Sequence, residues 1–135
     1  MTALDSSSLG KAITQLRSGL DTFTASPEND LYRDGVIQQF EFTYSLCSRM
    51  LARYLEQTAP VPDEIEQMSF ATLVPTGAER GILKSGWDQC QAFREARNIT
   101  SHTYNQVKAE QVMNVVPDFL AEAEFLYEQL QQRNR

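Results

Sequence analysis

The chain has 135 residues, 41% of them hydrophobic and 22% charged, and its 12 Lys and Arg against 18 Asp and Glu leave a net charge of −6. A chain of this length is expected to be a single domain, residues 1–135, with core enough to fold without staples. The acidic balance argues against a sequence-independent nucleic-acid binder with a broad basic surface, but leaves room for one small basic site.

Helical periodicity dominates the chain. In the first segment Leu9, Ala12, Ile13, Leu16, Leu20 and Phe23 fall within about 100° on a helical wheel. The Ser6–Ser8 run offers N-cap hydroxyls, and Pro27 closes the segment. The second segment runs from about Asp30 to Thr58. Val36, Ile37, Phe40, Tyr44, Cys47, Met50, Leu51, Tyr54 and Leu55 share an arc of about 140°. Phe42 and Leu46 lie off that arc, so this helix either sits mid-bundle or meets a partner. Pro60 and Pro62 end it. Residues 63–86, punctuated by Pro75 and three glycines, read as one or two short helices. A further helix is expected from near Ser85 to about Ser101, with Ala92, Phe93, Ala96 and Ile99 as its apolar face. The last runs from about Asn105 to Arg133, with Ala109, Val112, Val116, Phe119, Leu120, Ala123, Leu126 and Leu130 inward, Asn105 as N-cap and Pro117 as a bend. No stretch alternates with period two. The expected fold is all-α: an antiparallel up-and-down bundle of four long helices plus one or two short ones.

Several chemistries lack their residues. There is no phosphate-cradling glycine loop, no nucleophile elbow and no local Cys–His pair. Cys47 and Cys90 form no disulfide framework, and with one histidine and no CxxC a single-chain zinc site is not expected. No apolar run reaches the roughly 18 residues of a membrane span, and the N-terminus lacks a signal core. The expected setting is cytoplasmic. The paired carboxylates Glu64/Glu66 and Glu122/Glu124 are two apart, point away from each other on a helix and read as solvated surface.

One stretch stands out: Arg94-Glu95-Ala96-Arg97-Asn98-Ile99-Thr100-Ser101-His102-Thr103-Tyr104-Asn105. On a continuous helix Arg94, Arg97, Asn98, Ser101, His102 and Trp87 share a polar face opposite Phe93, Ala96 and Ile99. In one reading the arginines pair with acidic neighbours and His102 caps the helix C-terminus. In the other, Arg97 and His102 act on a phosphodiester. The imidazole moves a proton near neutral pH and helps a 2′-hydroxyl attack, while the guanidinium fork stabilises the charged transition state. Positions 97 and 102 point about 140° apart on a regular helix. They meet only if the helix ends between them or if two copies face each other. A twofold dimer through this face, with Trp87, Phe42 and Leu46 in the interface, answers the second condition.

The run Arg97-Asn98-x-x-x-His102-x-Tyr104-Asn105 resembles the RX4HXY motif of HEPN-domain proteins of the HepT type, also called nucleotidyltransferase substrate-binding subunits. Val36-Ile37-Gln38-Gln39-Phe40-Glu41-Phe42-Thr43-Tyr44 resembles that family's second-helix signature, and Trp87 stands where its members often carry one. The resemblance covers about residues 5–130. It implies a homodimeric helical bundle partnered by a small, separately encoded nucleotidyltransferase. In members that act as toxins of a two-gene toxin–antitoxin pair, it implies a metal-independent endoribonuclease without cofactor. Arg97 and His102 would be its catalytic pair, and Tyr104 the residue blocked by AMP. Arg94, Asn98 and Ser101 would support RNA or nucleotide binding, with Arg80 or Lys84 as further sources of positive charge. The role of Glu41 is left open. A non-catalytic nucleotidyltransferase-binding subunit and, below it, a nucleotide-binding bundle are the alternative readings.

Overall fold

The computed structural model describes residues 5–133, so the first four residues of the N-terminal stretch read above lie outside it. Six α-helices follow one another: α1 (Ser7–Ala25), α2 (Asp30–Thr58), α3 (Pro62–Glu66), α4 (Phe70–Glu79), α5 (Trp87–Asn98) and α6 (Gln106–Arg133). A 3-10 turn, Thr100–His102, lies between α5 and α6. Among the described residues there is no strand, and no helix is long and apolar enough to cross a membrane. The four long helices and two short ones form the expected all-α bundle. The short link at 26–29 returns α2 alongside α1, and α2 packs against every other helix.

That central place explains the second apolar patch of α2. Leu46 is only 6% exposed within the chain's own core, together with Thr43 and Met50. It is therefore not the free interface side chain expected above. Phe42 remains 56% exposed.

The helix ends show which polar groups do the capping. At α1 the N-cap residue is Ser6, but its hydroxyl accepts from Gln131 at the far end of α6. The Ser7 N–H is instead taken by the Asp5 carboxylate at 2.9 Å, which pulls that carboxyl below its ordinary value. At α2 the Asn29 side chain accepts from the Tyr32 N–H. Helix α4 closes with a six-to-one bond from Ile82 N–H to Gly77 O and a second from Gly81 N–H to Ala78 O. Gly81 makes this turn at φ 75°, the left-handed conformation that glycine adopts without strain. Helix α6 runs unbroken through Pro117.

An aromatic cluster holds α5 down. The Phe119 ring meets Phe40 edge-on at 4.9 Å and Phe93 edge-on at 5.5 Å between centroids. Such pairs add about 1 kcal/mol each beyond the area they bury. They anchor α5 to α2 and α6 and fix which of its faces looks outward.

Candidate active site at the α5–α6 junction

Helix α5 is shorter than its periodicity predicts, and the reason is chemical. The Thr100 hydroxyl donates to the Arg97 carbonyl at 2.8 Å, and the Thr103 hydroxyl to the Thr100 carbonyl at 3.0 Å. These side chains take carbonyls that a continuing helix would use. The backbone tightens into the 3-10 turn, with His102 N–H bonded to Ile99 O. The helix thus ends between Arg97 and His102, the first of the two conditions for bringing them to one site.

The buried stripe of α5 runs through Cys90, Phe93, Ala96 and, past its end, Thr100. Arg97 lies on the flank of that stripe. Its side chain is 34% exposed, and its guanidinium reaches the Glu41 carboxylate of α2 at 3.5 Å and the Thr100 hydroxyl at 3.4 Å. Arg94 is exposed on the same helix. Both arginines project their field onto the Tyr44 phenol of α2. Burial raises that phenol above its ordinary value, and the Arg94 charge works against the rise, with Arg97 adding to it.

His102 and Tyr104 lie beyond the helix end. His102 is exposed, and its ring meets that of Tyr104 edge-on at 6.4 Å between centroids. Tyr104 is 88% exposed. Asn98 and Ser101 are also exposed. Asn105 caps α6 as expected, accepting from the Val107 and Lys108 N–H groups. Among the described residues no hydrogen bond or ring contact joins Arg97 to His102 directly. Trp87 is the first residue of α5 and exposed. Arg80 is not part of this site. Its guanidinium donates to the Thr58 hydroxyl, some 25 Å along α2 from Glu41.

Three polar residues frame the junction in ways the sequence alone does not assign. Arg33, buried near the start of α2, bonds Gln106 at the first position of α6 at 3.0 Å, and pairs with Asp30 and Asp34. It braces the segment that displays Tyr104. Glu41 holds Arg97. Glu122 is 5% exposed rather than solvated, which corrects the expectation for that pair. Its carboxylate accepts from Lys84 N–H, from Ser85 N–H and, at 2.7 Å, from the Ser85 hydroxyl. It therefore fixes the turn leading into α5. Glu124 pairs with Arg17 of α1 at 2.6 Å.

Beneath α5 lies a cavity of about 60 Å³, lined by Tyr44, Cys47, Cys90, Phe93, Phe119 and Glu122 among others. Both cysteines are free. Burial, with Glu122 nearby, pushes the Cys47 thiol up to about 12 and the Cys90 thiol to about 11. Both are neutral at physiological pH and poor nucleophiles.

An all-α bundle carrying an Arg97-x4-His102 run is the arrangement expected of a HEPN-type domain. Residues 4–132 match the family described as nucleotidyltransferase substrate binding protein like. A Haemophilus influenzae (strain Rd) protein named a probable ribonuclease HepT is 39% identical over 132 residues, spanning 95% of this chain and 88% of that protein. A solved H. influenzae chain, described as revealing the fold of a substrate-binding domain of a nucleotidyltransferase, superposes with a TM-score of 0.88 at 33% identity, covering 94% of this chain and 99% of that one. The chain belongs to the HepT-type nucleotidyltransferase substrate-binding family.

Proposed function

We propose that this chain is a HepT-like toxin, a metal-independent endoribonuclease that acts as a homodimer and is neutralised by a small nucleotidyltransferase. The observation that carries the proposal is the end of α5 between Arg97 and His102, which takes His102 off the helical face that carries Arg97. His102 serves as the proton carrier for attack by the 2′-hydroxyl, and Arg97 as the charge facing the phosphorane. Arg94, Asn98 and Ser101 support the bound RNA. A second copy is taken to complete the cleft, with the exposed Trp87 and Phe42 at its margin.

Neutralisation follows from the exposure of Tyr104 beside the His102 ring. An AMP on that phenol sets a negative phosphate and a bulky nucleoside where an RNA phosphate must sit. Expression of the chain alone is expected to arrest bacterial growth, and co-expression of the nucleotidyltransferase encoded beside it to relieve the arrest. Incubation with that partner and ATP is expected to add mass in whole multiples of AMP, mapped to Tyr104 and lost in Tyr104→Phe. A harmless wild-type chain that leaves RNA intact while binding its partner would overturn the toxin reading. The dimer has its own test. Light scattering at micromolar concentration is expected to give twice the chain mass, and a monomer removes the shared cleft.

The second reading, a non-catalytic subunit that binds the nucleotidyltransferase, has one observation on its side. Arg97 is already engaged by Glu41 and Thr100, as a residue with only an interface role would be.

A further inference from the structure

Glu41 is a carboxylate aimed at the arginine that the ribonuclease reading assigns to the phosphodiester. The pair is loose: 3.5 Å between the nearest nitrogen and oxygen, with 34% and 44% of the two side chains exposed. At such exposure an ion pair contributes little to stability, and water reaches both partners. The two ends are nevertheless fixed. Glu41 stands on the long central helix one turn before Tyr44, and Arg97 is held from below by the Thr100 hydroxyl. A phosphate oxygen and a carboxylate oxygen seek the same face of a guanidinium fork.

We propose that Glu41 is a built-in counter-ion for Arg97, one that an incoming RNA phosphate must displace, and that it thereby sets how tightly the site holds RNA. This rests on the endoribonuclease reading above and adds to it a residue that acts through Arg97 without touching the reacting atoms. In the free chain the carboxylate keeps the guanidinium extended toward α2. When a phosphodiester binds, Arg97 exchanges one anion for another. The exposed Glu41 side chain then swings into water. Binding is weaker than the arginine alone allows, and an occasional anion does not occupy the site.

The test uses the full-length chain as purified and two ligands, a short cleavable RNA and its 2′-O-methyl analogue, which binds but cannot be cut. Glu41→Gln keeps the side-chain shape and removes the charge. It is expected to lower both the KM for the RNA and the Kd for the analogue by about three- to fivefold, with kcat changed by less than about twofold. Glu128→Gln, which removes an equal charge from an exposed position of α6, is expected to leave both constants unchanged. In an Arg97→Gln background Glu41→Gln should lose its effect on the analogue's Kd, because the coupling runs through that pair. If wild type cuts RNA and Glu41→Gln shows an unchanged or higher KM, the counter-ion role is overturned and the ribonuclease stands. If no cleavage occurs but analogue binding still tightens in Glu41→Gln, the ribonuclease reading falls and the counter-ion stands. If no cleavage occurs and neither protein binds the analogue, both fall.

Discussion

His102→Ala is expected to leave a folded chain that no longer arrests growth, with RNA cleavage down by about a thousandfold. A positioned general acid–base contributes on the order of 10²–10⁴ in rate. The imidazole is exposed and contributes no core contact, so the substitution should change stability by less than about 0.5 kcal/mol. That separates lost chemistry from lost fold. Arg97→Ala should cost a similar factor through the lost transition-state charge. Arg97→Lys should recover only a small part, since a point charge cannot replace the planar fork. The measurements are colony growth after induction and gel-resolved cleavage of total RNA by purified protein. A His102→Ala protein that cuts at the wild-type rate would remove the imidazole from the mechanism.

A large stability effect is expected at Glu122. Glu122→Ala leaves the Lys84 and Ser85 N–H groups and the Ser85 hydroxyl without an acceptor in a site that is only 5% exposed. Orphaned donors at that depth cost roughly 1–3 kcal/mol each, partly relieved by water. A total of about 3 kcal/mol, and a fall in melting temperature of roughly 10 °C, is the expected result by thermal circular dichroism. Glu122→Gln keeps one acceptor oxygen and should cost about 1 kcal/mol. The loss has a functional shadow, because the turn at 84–85 sets where α5 begins and hence where Arg94 and Arg97 point. A Glu122→Ala chain melting within about 2 °C of wild type would show that this carboxylate does not secure the turn.

The helices were legible because their burial patterns are regular. Leu9 to Leu16 and Val112 to Leu130 bury one continuous face each, Pro27 and Pro60 stand just past helix ends, and Pro62 opens α3. What the apolar pattern hid were polar residues in core register. Glu122 lies three residues after Phe119 and four before Leu126, both buried. Arg33 lies three before Val36 and four before Ile37, both buried as well. Pairing Glu122 with Glu124 as two surface acids overlooked that spacing. Leu46 departs from its expected exposure for a related reason. Its helix is surrounded by neighbours, so the side opposite its main arc is also covered. The break in α5 had a visible signal in Thr100-Ser101-His102-Thr103, whose hydroxyls compete for backbone carbonyls. The partner of Arg97 had none, since Glu41 is distant in the chain and only the packing of α5 across α2 brings it close.

The brace between Arg33 and Gln106 has a bearing on how fast Tyr104 can be reached. With α5 pinned by its threonine caps and α6 pinned at its first residue, the intervening loop presents the phenol on a firm stem, already turned to water. Under the proposed function, a transferase docking there would meet an acceptor atom already exposed. If Tyr104 is the acceptor, as proposed above, no ring has to swing out of packing before the bond can form, and docking of the two proteins would set the pace of silencing.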